Sequence, residues 1–152
     1  MQLKDKSDLV FDSLVTSLNE ASTDTLRINI LNDIAWHFAP TNFEESIKFA
    51  DSALALSRKI KWKKGEGYSL KHRGEAFRYR GEIQKALLNH ETALSIFQKI
   101  DNSKGVASLL SNIGIAHYMM SNFPKAFDYY SQALELGRKN EDDNGILKNL
   151  SL

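Results

Sequence analysis

The stretch GVASLLSNIGIAHYMMSNFPKAFDYYSQA, residues 105–133, decides the fold, because stretches with the same spacing of small and apolar residues precede it. The alanine at its end recurs at a step of forty residues, as Ala53, Ala93 and Ala133. A period that holds over three copies is the signature of a repeat array, in which each unit is one supersecondary element. Such arrays bury a continuous strip between neighbouring units and present extended surfaces.

The repeating units are predicted to be helical. The chain of 152 residues has only two prolines and eight glycines, and its apolar residues follow a helical period rather than alternating. Seven helices are predicted at about 7–21, 24–38, 43–60, 65–80, 83–100, 104–120 and 123–140, and an eighth is predicted to start near 143. Because the linkers are short, consecutive helices are expected to form antiparallel pairs. Asn42 and Glu45 have the spacing of a capping box at the start of the third helix.

The repeat boundaries predict a single domain. It would consist of an N-terminal capping helix over residues 1–22, three full repeats at 23–62, 63–102 and 103–142, and the start of a fourth at 143–152. Natural arrays usually end in caps with a polar outer face, and half a helix pair is not such a cap. We therefore expect the chain to be a fragment of a longer protein, with an uncapped C-terminal end that allows homo-oligomers.

Composition argues against several classes of function. The net charge of +1 gives no overall attraction to nucleic acid, and no apolar run is long enough to span a membrane. The chain has no cysteine, which excludes disulfides, thiol catalysis and thiolate metal sites. We therefore expect neither nucleic acid nor direct membrane contact by this segment. A cysteine-free chain suits the cytoplasm and the periplasm equally, so the localisation stays open between them.

No motif for catalysis or for a cofactor is found. The four histidines include no pair with the His-x-x-x-His spacing of a helical zinc site. The acidic residues 141–144 lack the spaced ligands and the closing glutamate of a calcium loop. The basic stretch 59–64 is compatible with nucleic acid or lipid headgroups, but a solvated loop between repeats is the preferred interpretation. The sequence predicts no enzyme, no bound metal and no cofactor.

The third unit resembles the tetratricopeptide repeat. Leu110, Gly114 and Ala116 have the spacing of the first helix of that motif, and Ala126 and Ala133 have the spacing of the second. The resemblance covers residues 24–152 and implies an all-α fold, a right-handed superhelical solenoid of antiparallel helix pairs. The forty-residue period exceeds the usual 34 of this family, which predicts longer helices.

Small residues of the repeat are predicted to lie where two helices meet most closely. Gly74 and Gly114 would let the first helix of a pair approach the second, so that a larger side chain would cost about 1–3 kcal/mol. Gly105, in contrast, is expected at a helix-opening turn, where a substitution should cost less.

The resemblance also implies a binding surface, since the first helix of each pair lines a concave groove in such arrays. The expected groove residues are largely polar or aromatic: Asn29, Asn32, Asp33, Trp36, Tyr68, Lys71, His72, Glu75, Arg78, Tyr79, Ser108, Ser111, Asn112, Ile115, Tyr118 and Met119. Residues 61–100 contain nine basic and four acidic residues. Lys71 and Arg78 are therefore expected to contact carboxylates of an extended, acidic protein segment. Asn32 and Asn112 are expected to hold backbone groups of that segment.

Two functions follow from this resemblance. The first is a scaffold that binds a protein or extended peptide and has no catalytic activity; similar long units occur in kinesin light chains and Rap-type peptide-sensing regulators. The second is the sensory region of a signalling enzyme. Residues 24–35, DTLRINILNDIA, resemble the opening of the repeat regions in histidine kinases and nucleotide cyclases of Bacteroidetes-type bacteria. In that case the output domain would lie beyond Leu152.

Overall fold

The computed structural model describes the backbone of residues 5–150 and the side chains of residues 5–141. Over these residues the chain forms seven helices and no strand, which confirms the all-α prediction. The first six helices end within two residues of their predicted bounds. The helices are α1 Lys6–Glu20, α2 Asp24–Phe38, α3 Phe43–Lys59, α4 Lys63–Tyr79, α5 Ile83–Lys99, α6 Ser103–Met119 and α7 Phe123–Leu150.

Side-chain caps help to set where the helices begin. Asn42 Oδ1 accepts a hydrogen bond from the Glu45 N–H at 3.2 Å, and Asn102 Oδ1 accepts one from the Gly105 N–H at 2.9 Å. Each bond satisfies one of the donors that a helix start leaves unpaired. The predicted capping box at Asn42 is only half present. The carboxylate of Glu45 pairs with Lys48 at 3.5 Å, while the N–H of Asn42 donates to the preceding turn.

Four turns share one backbone geometry. Lys61, Gly81, Asp101 and Ser121 have φ angles of 56°, 84°, 55° and 58°, in the left-handed region. In each turn the next residue donates its N–H to the carbonyl five residues before it, at 2.9 Å, as in a Schellman motif. A left-handed conformation costs a non-glycine residue about 1–2 kcal/mol, so packing of the next helix must offset it at three of these turns. The turns recur every twenty residues, once per helix.

The helices stack as a solenoid. Among the described residues α2 pairs with α3, α4 with α5 and α6 with α7, and each pair contacts the next. The first helices touch across the units, α2 against α4 and α4 against α6, whereas α3, α5 and α7 do not touch one another. The array therefore curves with its first helices on the inner, concave side.

The core is a strip between the pairs rather than a ball. Ile28, Ile34, Phe97, Leu109 and Ile113 are fully buried along it. At the N-terminal end, α1 packs on α2 through its apolar side, although none of the described α1 side chains is fully buried. No helix in the described part of the chain is long and apolar enough to cross a membrane.

The prediction of a separate eighth helix is wrong, because α7 continues without a break to residue 150. At the preceding junction the ring of Phe97 is buried against Gly105 and ties α6 to α5. Gly137 stands forty residues after Phe97, and a glycine supplies no such ring. The backbone stays helical at Glu141, where the earlier units turn. Ser57 fills the same position in the first unit, which nevertheless turns at Lys61, so the missing ring does not by itself explain the continuous helix. The predicted packing of residues 143–152 as a fourth repeat lies outside the described side chains.

Candidate partner-binding face

All sixteen predicted groove residues lie on the first helices. They differ in how far their side chains are buried. Two are buried, Asn32 and Glu75. Eight are partly buried: Tyr68, Lys71, His72, Arg78, Ser108, Ser111, Asn112 and Ile115. Six are exposed: Asn29, Asp33, Trp36, Tyr79, Tyr118 and Met119. The structure thus places these side chains on helices of the concave side, α2, α4 and α6.

Each first helix carries a buried polar atom without a hydrogen-bond partner. Asn32 is 3% exposed, and neither its Oδ1 nor its Nδ2 is bonded. His72 Nδ1 and Asn112 Nδ2 are also buried and unbonded, as are Nδ1 of His90 on α5 and Nδ1 of His117 on α6. A buried polar group left unpaired costs about 1–3 kcal/mol, and folded proteins rarely tolerate it without a functional reason. We call the side chains of Asn32, His72 and Asn112 the polar row; together they run across all three units.

Lys71 lies beside the polar row as a partly buried cation. Burial lowers the pKa of its ammonium group, and the nearby Glu75 carboxylate opposes that effect. Within the described part of the chain, no carboxylate lies close enough to Lys71 for an ion pair. A partly desolvated cation of this kind is stabilised by any carboxylate that binds next to it.

Arg78 differs from Lys71, because its charge is already compensated. Its Nη2 and Nε donate to Glu75 Oε2 at 2.6 and 3.2 Å, and its guanidinium lies 4.2 Å from the centre of the Tyr79 ring. The sequence-based expectation that Arg78 offers a free guanidinium to a partner is therefore corrected. The Glu75–Arg78 spacing of three residues on one helix is a signal for this pair.

Much of the positive excess of the second unit is also paired inside the protein. Arg73 Nε lies 2.7 Å from Asp51 Oδ1, and Arg80 Nη1 lies 3.3 Å from Glu44 Oε1. Both acids belong to α3, so the positive second unit meets carboxylates of the first. Exposed pairs contribute little to stability. Because Arg73 and Arg80 are paired in this way, Lys71 is the cation next to the polar row that has no ion-pair partner among the described residues.

The C-terminal ends of the first helices carry large exposed side chains. Trp36, Tyr79, Tyr118 and Met119 are all exposed there. Tyr118 is held in an edge contact with Phe123, with ring centres 5.3 Å apart. Exposed aromatic side chains grouped on one surface are typical of sites that bind partners. We refer to these four residues as the aromatic end.

A histidine of α5, His90, packs against Gly74 of α4. His90 is fully buried, its Nε2 lies 3.3 Å from the Lys71 carbonyl oxygen and 3.8 Å from Glu75 Oε1. Burial lowers the pKa of His90 to about 4, although Glu75 and the carbonyl oppose this. Burial, with the neighbouring Lys71 and His90, lowers the pKa of His72 to about 3. Both rings are therefore neutral at pH 7. No group of three metal-ligating side chains occurs among the described residues.

The repeats are similar to those of known proteins. Residues 65–139 match the tetratricopeptide repeat family. The structure is similar to the TPR domain of Arabidopsis FLU, with a TM-score of 0.68 and 15% identity, covering 77% of this chain and 99% of that one. No curated protein matches the sequence.

Two larger proteins share the fold over part of their length. A Rap protein complexed with competence and sporulation factor gives a TM-score of 0.75 at 16% identity, covering 82% of this chain and 35% of that one. Aspartyl phosphate phosphatase F from Bacillus subtilis gives 0.72 at 16% identity, covering 90% and 36%. This chain thus spans about a third of those two chains. The predicted all-α solenoid fold is confirmed, and tetratricopeptide repeats, which it resembles, form helical scaffolds that typically bind proteins.

Proposed function

We propose that this tetratricopeptide repeat solenoid is a scaffold without catalytic activity that binds an extended, acidic segment of a partner protein on its concave side. The observation that carries the proposal is the polar row. Asn32, His72 and Asn112 hold buried, unbonded polar atoms on three successive first helices. A bound chain with its own unpaired backbone groups would satisfy them.

The spacing of the helices suits an extended peptide. Packed helices lie about 8–10 Å apart, and an extended chain rises about 3.3 Å per residue, so three peptide residues span one unit. A backbone group of every third residue would then meet one member of the polar row. An asparagine amide both donates and accepts, and a neutral imidazole offers one donor and one acceptor. The row can therefore bind N–H and C=O groups with little regard to the peptide sequence.

Selectivity would come from Lys71 and the aromatic end. A peptide carboxylate next to Lys71 would compensate an ammonium group that burial already destabilises, and a charge-assisted hydrogen bond would form. The four large side chains of the aromatic end would supply contact area at one side of the peptide. The similar Rap structure holds competence and sporulation factor, which supports binding of a partner by this fold.

The second candidate is that this segment is the sensory region of a histidine kinase or nucleotide cyclase. Residues 24–35 form most of α2, the helix that carries Asn32, so their resemblance to such enzymes falls on the proposed binding face. Sequencing the parent gene tests this reading. Kinase or cyclase motifs after residue 152 would support it, and their absence from the whole reading frame would exclude it.

The binding proposal is tested with a peptide array probed by the unmodified chain, by Lys71→Gln and by Lys99→Gln. Lys99 is an exposed lysine at the end of α5 and serves as the matched control. We expect the unmodified chain and Lys99→Gln to select the same acidic peptides, with affinities that fall as salt rises. Lys71→Gln should bind them about tenfold more weakly, equivalent to about 1.4 kcal/mol. If all three proteins select the same peptides equally well, Lys71 does not face the bound segment.

A further inference from the structure

One side of α7 exposes a line of large apolar side chains. Phe123, Phe127 and Leu134 are 46%, 64% and 57% exposed, at steps of four and seven residues that keep them on one helix face. We call these three residues the α7 stripe. An open groove lined by Ser131, Leu134 and Arg138 runs along the same helix.

The preceding unit shows what the same helix face contacts there. Forty residues earlier the corresponding positions hold Ile83, Leu87 and Leu94, and all three pack in one cluster with Ile113 and Ala116 of α6. The face is therefore the surface on which one unit stacks against a helix of the next. Among the described residues no helix covers it on α7, which contacts α6 alone.

We propose that the α7 stripe binds the same stripe of a second copy of this chain, with the two α7 helices antiparallel about a two-fold axis near Tyr130 and Ser131. This axis sets Phe127 of each copy against Leu134 of the other. Self-complementary contacts around a two-fold axis are the commonest way in which identical chains associate. The contact lies on a second helix, and it meets the proposed peptide-binding face where Phe123 touches Tyr118.

The residues that flank the stripe complement one another in the same arrangement. Phe123 of one copy comes opposite Arg138 of the other, where a guanidinium over an aromatic ring is favourable. Near the axis the short side chain of Ser131 lets the helices approach closely. Antiparallel pairing also sets opposite ends of the two helix dipoles side by side.

The association is measured by sedimentation equilibrium of the full chain at high micromolar concentration. We expect a dimer for the unmodified chain and a monomer for Phe127→Glu and for Leu134→Glu, both with unchanged helical circular dichroism. Leu88→Glu is the matched control, because Leu88 is 65% exposed but lies on α5 outside the stripe. This variant should remain dimeric. A monomeric unmodified chain, or equal effects of all three substitutions, would overturn the proposal.

Cysteine cross-linking tests the two-fold geometry, and the absence of native cysteine makes single-cysteine variants unambiguous. Ser131→Cys places a thiol next to the axis, within reach of its counterpart in the other copy, and should oxidise to a disulfide-linked dimer. Ser52→Cys, at an exposed serine of α3, should not. Equal cross-linking of the two variants contradicts the two-fold contact, as does a ladder of longer oligomers in sedimentation, which would indicate head-to-tail stacking.

Discussion

Glycines mark the closest contacts between helices in this solenoid. A Cβ added to Gly74 would lie 2.4 Å from His90, and one added to Gly114 would lie 2.7 Å from Tyr130. These distances confirm that both glycines sit where a pair of helices meets. At Gly105 the expectation of a tolerant helix-opening turn is wrong, because a Cβ there would lie 2.7 Å from the fully buried Phe97 ring. The first turn of α6 is thus part of the contact between units.

Alanine substitutions test these contacts. Gly114→Ala and Gly105→Ala should each destabilise the protein by about 1–3 kcal/mol, since the added Cβ would press on the ring of Tyr130 or of Phe97. Gly137→Ala is the control: a Cβ there meets nothing within 4 Å, and alanine favours a helix by about 1 kcal/mol. Urea unfolding midpoints measure all three. A Gly105→Ala variant as stable as Gly137→Ala would show that the Phe97 contact is loose.

At the scale of the elements, α4 and α5 are joined by a buried polar cluster. Glu75 binds Arg78 on its own helix and lies near His90 of α5, while His72 is next to Lys71 on α4. The third unit has Tyr130 in place of His90, which shows that the slot accepts an uncharged aromatic ring. In the second unit, burial disfavours the charged form of His72 and of His90.

Because these histidines are buried, we expect the folded state to lose stability at acidic pH. An unfolded histidine has a pKa of about 6.5, and the folded values are about 4 for His90 and about 3 for His72. Between the folded and the unfolded pKa values, the two histidines are largely protonated in the unfolded chain and neutral in the folded one. The unfolded chain therefore binds more protons there. The stabilisation is therefore fully present above about pH 6.5 and is lost progressively as the pH falls toward 4. Urea midpoints between about pH 7 and pH 4.5 should fall accordingly.

His90→Tyr, which copies the third unit, should flatten this pH dependence, because only His72 then titrates in the cluster. His37→Gln, at a partly exposed histidine of α2, is the control and should leave the dependence close to that of the unmodified chain. The same slope in His90→Tyr as in the unmodified chain would mean that His90 is not buried in its neutral form.

For the whole molecule, the forty-residue period predicts most of the architecture. It predicts the bounds of the first six helices and the close contacts at Gly74 and Gly114, because repeated residues must repeat their contacts. It fails where single positions break the repeat. The repeat predicts neither that α7 continues through Glu141 nor that Arg78 pairs with Glu75 one turn away on the same helix. The burial of Asn32 between exposed Asn29 and Asp33 depends on how α4 packs against α2, which the helical period of α2 alone does not specify.

We propose that the molecule keeps unpaired polar groups on the side of its first helices at a cost in stability, because a partner binds them. Asn32→Leu tests this, since leucine has the same branched shape and no polar atom. Asn89→Leu is the matched control: Asn89 is also buried, but it donates to the Lys85 carbonyl at 2.8 Å and accepts from Arg73 at 3.1 Å. Asn89 lies on α5, outside the proposed binding face.

The decisive measurement is the unfolding free energy of each variant together with its affinity for the acidic peptides selected on the array. Asn32→Leu should gain about 1–3 kcal/mol of stability, because an unpaired buried amide is removed, and should bind at least about tenfold more weakly. Asn89→Leu should lose stability and bind as before. A less stable Asn32→Leu that keeps its full affinity would show that Asn32 serves the fold rather than a partner, and would contradict the account.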